Sequence, residues 1–487
     1  MLKYIFLAVF LILMFAVSWF CARKVKNLDD FLLGGRRVGP WLSALAYGTT
    51  YFSAVIFVGY AGKLGWNFGM GAVWIGIGNA VIGTYLAWKV MARRTRAITR
   101  RLNVTTMPEF LEKRYLSKPM KVVCAVIIFI FLTPYCASVY QGLGMIIEET
   151  FGVSYQVAIL IMTLVTAIYI VVGGYIANAM TSFVQGIFMI VGVTLMVALF
   201  FGKLGGVGSA VAQLAAISPE KATVFGPDPL GLFWLVMLTS LGVWGLPQMV
   251  HKFYAIEDGK SAIRRGTVIS TVFAFIVGGI AYLLGAFGPV VLNNTLPEAG
   301  YDAVIPTMIN ATMPDAIMGL IVVVLLAASM STLASLVMSS SSAIAIDLIR
   351  GAIRPKISEK NTTLAMRLLI VLFLAISVVI ALFRPAAIVN LMGFSWGTVA
   401  GACIGPFVLG VLWKRATRAG AWAGVIVPLL ITLVMSLMPQ FGIANSPMIG
   451  VISMLASLLC TAVVSLLTQP MTREHLDTIY GTAPASK

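Results

Sequence analysis

Charged residues are scarce in this sequence. Asp, Glu, Lys and Arg together make up 10% of its 487 residues, whereas 60% are hydrophobic. The mean hydropathy is +0.98, and apolar runs of about 20 residues, long enough to cross a bilayer, recur along the chain. A formal charge of +17 is typical of proteins that bind nucleic acid, but here the basic residues cluster in short links between the apolar runs. The sequence therefore predicts an all-α polytopic membrane protein, embedded in the lipid bilayer, with no nucleic-acid partner.

Groups that perform acid, base or metal chemistry are also rare. All 17 acidic residues fall at the ends of apolar runs or in links, and the two histidines, His251 and His475, lie at a run end and in the C-terminal tail. A carboxylate relay inside the membrane, an enzyme and a metal cluster are all disfavoured. We expect no disulfides, because the five cysteines show no paired short spacing: Cys21, Cys124, Cys136, Cys403 and Cys460.

Breaks at charges, prolines and polar clusters divide the chain into about thirteen predicted spans. If alternate links are taken as one side of the membrane, that side holds 29 of the 34 Lys and Arg. This bias predicts a cytoplasmic C-terminus and an external N-terminus. The spans are roughly 3–22, 41–64, 69–91, 120–147, 153–173, 176–202, 232–251, 267–289, 316–347, 364–383, 387–412, 420–438 and 447–467.

The predicted span 316–347 is unusually rich in hydroxyls. The stretch 325–350 reads "LLAASMSTLASLVMSSSSAIAIDLIR" and holds seven serines and one threonine. Hydroxyl oxygens are hard ligands that suit a cation such as Na⁺, but small hydroxyl residues also allow helices to pack closely. Both interpretations remain open from this segment alone. At helical spacing one stripe combines Ala328, Ser331, Thr332, Ser335, Ser339 and Ser342.

Two other spans carry signals that interrupt a helix. Residues 45–62, "LAYGTTYFSAVIFVGYAG", combine glycines with consecutive threonines, and residues 240–252, "SLGVWGLPQMVHK", contain two glycines and Pro247. Unwound backbone in a membrane is tolerated where it lines a cavity or meets protein or an ion. Two interrupted spans in corresponding places of two halves are typical of an inverted-repeat transporter with its binding site near the midplane.

Six groups of motifs follow one another along the chain. They are "DDFLLGGRRVGPWLSALAYGTTYFSA" (29–54), "TTMPEFLEKRY" (105–115), "TPYCAS" with "ETFGVSYQVA" (133–158), "GGYIANAMTSFVQG" (173–186), "LAASMSTLASLVMSSSSAIAIDL" (326–348) and "GVLWKRATRAGAWAG" (410–424). In these motifs, their order and their spacing, the chain resembles the sodium/solute symporter family along nearly its whole length. The resemblance implies a LeuT-like fold, a 5+5 inverted repeat with an extra N-terminal helix and two C-terminal helices. The implied division is 3–22 for the extra helix, 41–412 for the core, 420–467 for the last two helices and 468–487 for a cytoplasmic tail.

The same resemblance implies a sodium site. Its ligands would be the main-chain carbonyls of Thr49, Phe52 and Ala328 and the hydroxyls of Ser331 and Thr332. Where many members carry an aspartate of a second sodium site, this chain has Ser182 in "MTS", and Ala334 stands where a serine would help. We therefore expect one sodium ion per solute.

Cues for the solute disagree. Tyr51 stands where the proline permease has an aspartate, and "TTYFSA" with "GVWGLPQ" is closer to the pantothenate permease branch, whereas "YCAS" and "TFGVSY" are closer to the proline permease. For the aromatic members of the implied site, packing at a helix interface is an equal alternative. The implied solute-binding residues are Ser53, Tyr135, Gln141, Trp244 and Gln248.

The sequence thus predicts a sodium-coupled secondary active symporter that imports a small organic solute by alternating access. The solute would be an amino acid such as proline or a carboxylate such as pantothenate, and the location a cell membrane, bacterial and inner. The alternative is a membrane solute sensor with a symporter-like fold. The oligomeric state does not follow from the sequence.

Overall fold

The fold is almost entirely helical. A computed structural model describes residues 2–23 and 27–481, and within these residues extended pairing is limited to one parallel bridge between Val38 and Ile256. Many large apolar side chains on the long helices are exposed as well as buried, which is expected of a protein surrounded by lipid rather than water. The first half contains α1 (Leu2–Ala22), α2 (Leu28–Leu33), α3 (Pro40–Tyr51), α4 (Ala61–Phe68), α5 (Val73–Gly78), α6 (Arg93–Arg101), α7 (Met107–Tyr115), α8 (Lys118–Phe151), α9 (Tyr155–Lys203) and α10 (Val207–Ile217).

The second half repeats this pattern of long helices joined by short links. Several helices continue through wider π-helical turns rather than ending in a loop. Such turns cover Val55–Tyr60, Asn79–Leu86, Trp88–Ala92, Ala343–Ile353 and Gly405–Leu409. The helices are α11 (Pro229–Gly242), α12 (Pro247–Ala255), α13 (Lys260–Gly285), α14 (Gly288–Val291), α15 (Val304–Thr312), α16 (Asp315–Ser342), α17 (Glu359–Phe383), α18 (Ile388–Ile404), α19 (Gly410–Leu412), α20 (Arg418–Leu437), α21 (Ser446–Leu467) and α22 (Arg473–Tyr480).

The number of spans stays a prediction. By length and hydropathy, eleven helical stretches in the described residues could cross a membrane, against about thirteen expected. One stretch, Val55–Arg101, contains part of one predicted span and all of the next, and the apolar helix Tyr155–Val171 is shorter than the others. The first case arises because helical hydrogen bonding continues where hydropathy predicts a boundary, and the second because Tyr155–Val171 is too short to be counted as a span.

A glycine kink divides the longest helix. Within α9, Gly174 has φ 59° and ψ −160°, a conformation that side chains with a Cβ rarely adopt. A Cβ at this position would also lie 2.6 Å from the ring of Phe31. The kink separates the two predicted spans 153–173 and 176–202.

Helix α16 lies at the centre. It packs against α1, α3, α8, α9, α12 and α17, and every residue from 321 to 338 is buried. Its small and hydroxyl side chains allow this close approach, which the bulkier side chains of a lipid-facing helix would prevent. The hydroxyl stripe predicted from the sequence therefore faces protein on every side.

Candidate functional site

The site begins where α3 stops. Helix α3 starts with Pro40 at its first turn and ends at Tyr51, and Phe52 then takes an extended conformation (φ −95°, ψ 90°) while its amide still bonds to Gly48 O. The next helical turn begins at Val55. Ending a helix in the protein interior leaves its last carbonyls without intrahelical partners, so this break exposes acceptor oxygens in a buried place.

Thr332 on α16 meets those oxygens. Its Oγ1 lies 3.2 Å from Thr49 O, 3.0 Å from Thr50 O and 3.1 Å from Ala328 O, and its side chain is fully buried. A threonine hydroxyl has one proton and can donate to only one of these three carbonyls. The position is therefore richer in acceptor oxygen than in protons, which is the environment a bound cation needs.

A chain of hydroxyls adjoins this point. Ser331 Oγ lies 2.7 Å from Thr49 Oγ1 and 2.8 Å from Ser182 Oγ on α9. Thr49 Oγ1 also donates to Leu45 O at 2.8 Å. Helices α3, α9 and α16 thus each supply oxygen to one buried cluster, which contains no carboxylate.

The predicted sodium ligands are largely brought together. Thr49, Ala328, Ser331 and Thr332 contact one another as described, and Phe52 is the C-cap residue of the same break. These donors are all neutral oxygens, suited to a hard monovalent cation rather than to zinc or copper. Among the described residues no group of His, Cys, Asp and Glu has the arrangement of a metal site.

The second interruption lies between α11 and α12. Residues 243–245 form turns and Leu246 is extended (φ −85°, ψ 122°); Pro247 then opens α12, where a missing amide proton costs nothing. The side chain of Gln248 follows directly. It is 1% exposed, and neither its Nε2 nor its Oε1 has a hydrogen-bond partner. Because an unpaired buried amide is costly, this side chain is a candidate for binding a ligand.

The other predicted solute-binding residues differ in their contacts. Tyr135 is buried and packs edge-on against Trp396 with ring centroids 5.7 Å apart, and Gln141 Nε2 has no partner. Ser53 Oγ accepts the amide of Val55, which starts the next helical turn. Trp244 instead donates its indole N–H to Ile82 O at 3.1 Å, so this tryptophan anchors the second break to a neighbouring helix.

Sequence patterns did not indicate four residues that lie beside the site. Trp396 on α18 lies 6.1 Å from the ring of Tyr51, and its indole nitrogen has no partner. Thr50, Asn178 and Lys252 contact Ser335, through Thr50 Oγ1 at 2.8 Å, Asn178 Nδ2 at 3.3 Å and Lys252 Nζ at 3.0 Å. Lys252 directly follows the predicted span 232–251, so the sequence places it in a charged link. Lys252 lies four residues after Gln248, a spacing that indicates that both share one face of a helix.

Known proteins with similar sequences are transporters. The chain is 30% identical over 434 residues to the osmoregulated proline transporter OpuE of Bacillus subtilis, with 86% of each chain covered. It is 30% identical to the high-affinity proline transporter PutP of the same organism, covering 95% of this chain and 98% of that protein. The sodium/proline symporter of Escherichia coli is 29% identical, with 89% of this chain and 86% of that protein covered.

Solved structures with a similar fold include a Na⁺-coupled sialic acid symporter in a substrate-bound outward-open state. That structure has a TM-score of 0.80 at 20% identity and covers 97% of this chain and 98% of its own. The structure of Mhp1, a nucleobase-cation-symport-1 family transporter, has a TM-score of 0.54 at 13% identity, covering 93% of this chain and 99% of its own. The likeness confirms the predicted LeuT-like all-helical membrane fold.

One family accounts for these similarities. The model of the Sodium:solute symporter family matches residues 31–428, most of the chain. The predictions of sodium-coupled solute symport, of sodium as the coupling ion and of a non-enzymatic role are confirmed by that match. None of these matches supports the sensor alternative. The chain belongs to the Sodium:solute symporter family.

Proposed function

We propose that this protein imports proline, or a closely similar small amino acid, together with one Na⁺ by alternating access. The observation that carries the proposal is the position of Thr332 Oγ1, which lies near two carbonyl oxygens at the end of α3 and near the carbonyl of Ala328 on its own helix. Three relatives of this chain are named as proline transporters or symporters, which supports proline as the solute.

In this proposal Na⁺ links two parts of the molecule. Its ligands are the carbonyls of Thr49, Phe52 and Ala328 and the hydroxyls of Ser331 and Thr332. Because α3 and α16 each contribute oxygens, the ion holds the two helices together and stabilises the conformation that accepts solute. Loss of Na⁺ removes that attraction. The two helices can then separate, and the site opens to the other side of the membrane.

The solute would lie between the two interruptions. The carbonyl end of α3 carries partial negative charge and suits an ammonium group, whereas the amide end of α12 suits a carboxylate. A zwitterion satisfies both ends without any charged side chain. Gln248 and Gln141 have unpaired amide atoms for its polar groups, Tyr135 and Trp244 provide apolar walls, and Ser53 borders the unwound segment.

Orientation and location belong to the same proposal. The bias of Lys and Arg toward one set of links favours a cytoplasmic C-terminus and an external N-terminus. The relatives are bacterial, which favours a multi-pass protein of the bacterial inner membrane. An inward Na⁺ gradient then drives the coupled solute into the cell.

Uptake into proteoliposomes tests the proposal. Labelled proline should accumulate when an inward Na⁺ gradient is imposed and should not accumulate when choline replaces Na⁺. Excess unlabelled proline should block this uptake and pantothenate should not. Uptake driven equally well by a proton gradient alone would overturn the sodium assignment, and competition by pantothenate but not by proline would overturn the solute. Saturable proline binding without any uptake would revive the sensor alternative.

A further inference from the structure

A buried lysine lies beside the hydroxyl cluster. Lys252 on α12 is 1% exposed, and its Nζ donates to Ser335 Oγ at 3.0 Å. The same ammonium faces the ring of Tyr175, with Nζ 5.3 Å from the ring centroid, a cation–π contact. None of the ion pairs between described residues includes Lys252. A buried charge without a counter-charge is costly and in membranes is usually functional.

The hydrogen bonds of Ser335 show what the ammonium does there. Its Oγ has three polar partners, namely Lys252 Nζ, Asn178 Nδ2 at 3.3 Å and Thr50 Oγ1 at 2.8 Å. An ammonium and an amide NH₂ only donate, so the single proton of Ser335 must go to Thr50. Both acceptor positions of Ser335 are then occupied, and none of its lone pairs is left for a metal ion.

The group around Ser335 is continuous with the sodium cluster. Asn178 Oδ1 accepts from Ser182 Oγ at 3.3 Å, and Ser182 Oγ lies 2.8 Å from Ser331 Oγ. Ser331 and Ser335 are one turn apart on α16, and their partners Thr49 and Thr50 are adjacent on α3. Two positions of neutral oxygen therefore lie side by side at the carbonyl end of α3, where positive charge is favoured.

We propose that the ammonium of Lys252 fills the second of these two cation positions, so that the protein binds a single Na⁺, at the first. This inference rests on the proposed function, because it concerns the ion stoichiometry of that transport. The inference also explains why residue 182 is a neutral serine. One of the two cations is the ammonium of Lys252, which is part of the protein itself, and a neutral residue suits such a pair of positions. Since Gln248 lies four residues earlier on the same helix, Lys252 also joins the solute-binding end of α12 to the sodium cluster.

Counting bound ²²Na⁺ on purified protein tests the inference without any solute. The wild type should bind one Na⁺ per chain. Ser182→Asp should still bind one, because the new carboxylate pairs with Lys252. The double variant Lys252→Met with Ser182→Asp should bind two, because a carboxylate now faces a vacated position. Lys63→Met with Ser182→Asp is the matched control and should bind one, since Lys63 lies elsewhere, 3.5 Å from Asn390 Oδ1.

The possible results separate clearly. Two ions bound by Ser182→Asp alone, or one ion bound by a folded Lys252→Met and Ser182→Asp double variant, would overturn the inference. If the double variant does not fold, the wild-type flux ratio of ²²Na⁺ to labelled solute decides: a ratio of one supports the inference and a ratio of two overturns it. Failure of proline uptake with the expected ion counts would refute the proposed solute alone.

Discussion

Thr332 is the residue whose environment most directly indicates an ion. We predict that Thr332→Ala raises the Na⁺ concentration for half-maximal uptake about tenfold or more, because a hydrogen bond or ligand to a charged group contributes about 1.5–3 kcal/mol. Thr332→Ser keeps the oxygen and should change this value much less. The measurement is initial proline uptake against Na⁺ concentration.

The matched control for this prediction is Ser329→Ala. Ser329 lies less than one turn away on the same helix and is equally buried, but its hydroxyl donates to Leu325 O of its own helix. Its removal should leave the sodium dependence unchanged. Equal sodium dependence in Thr332→Ala and Ser329→Ala would show that both hydroxyls serve only packing.

Gln248 allows a prediction in which binding and stability separate. Both polar atoms of its amide lack partners, so Gln248→Leu should leave the thermal stability of the ligand-free protein unchanged or slightly raised. The same change should abolish most of the proline-induced rise in melting temperature, because the amide is proposed to bind the solute. Thermal shift with and without proline measures both quantities.

Gln185→Leu serves as the control for Gln248. Gln185 is also buried, with one unpaired amide atom, but its Nε2 points to Met14 on α1. Its replacement should retain the proline-induced stabilisation. A full proline response in Gln248→Leu would contradict the assignment of this glutamine to the solute.

At the scale of single residues, the sequence indicated the oxygen-bearing residues of the cluster, whose role as sodium ligands stays a prediction. Ser331 and Thr332 stand out because they belong to a stripe of hydroxyls at helical spacing, and Thr49 is implied by the family resemblance. Lys252 does not stand out, because a lysine next to a predicted span end is ordinarily drawn to the interface. Its burial depends on α12 being a half-helix that starts inside the protein, a tertiary property that local hydropathy does not contain.

At the scale of helices, glycine placement explains how the broken segments are packed. Gly278 and Gly279 are neighbours on α13, yet they face different surroundings. A Cβ on Gly278 would lie 2.5 Å from Cε1 of Phe52, whereas a Cβ on Gly279 would meet nothing within 4 Å. We predict that Gly278→Ala displaces Phe52 and reduces sodium-dependent uptake severalfold or more.

Gly279→Ala is the natural comparison. It adds the same methyl group to the same helix and should leave uptake intact, with stability raised by up to about 1 kcal/mol through helix propensity. Gly278→Ala should therefore lower sodium-dependent uptake, whereas Gly279→Ala should leave uptake unchanged and raise the melting temperature. Normal uptake by Gly278→Ala would mean that the position of Phe52 is unimportant for the sodium site.

The interruptions themselves were predictable, but their geometry was not. Gly48, the two threonines after it and Pro247 indicated where helices weaken. The sequence did not show that α3 ends with Phe52 in an extended conformation, or that Thr332 would lie within 3.2 Å of three carbonyls. These details depend on how α16 packs across the break, which arises from contacts between residues about 280 positions apart.

For the whole molecule, hydropathy predicted the helical membrane fold, whereas counting spans was harder. Continuous helical hydrogen bonding carries the chain through positions where composition predicts a boundary, as in the stretch Val55–Arg101. Conversely, Gly174 kinks α9 without ending its hydrogen bonding. Span number is thus a property of how helices lie in a bilayer rather than of local composition.

The orientation of the whole molecule can be measured with single cysteines. Of the chain's own cysteines, Cys21, Cys124, Cys136 and Cys403 are buried and Cys460 is half-buried, so a membrane-impermeant maleimide should label the wild type poorly. Val224 and Lys356 are both exposed and lie in links predicted on opposite sides. We predict that Val224→Cys is labelled in cells whose cytoplasmic membrane is intact and that Lys356→Cys is labelled only after that membrane is broken. The reason is that the link near Lys356 belongs to the set holding most of the basic residues, which insertion retains in the cytoplasm. The reverse pattern would invert the proposed topology. Na⁺ that enters the cell would then reach the broken end of α3 from the opposite side of the protein.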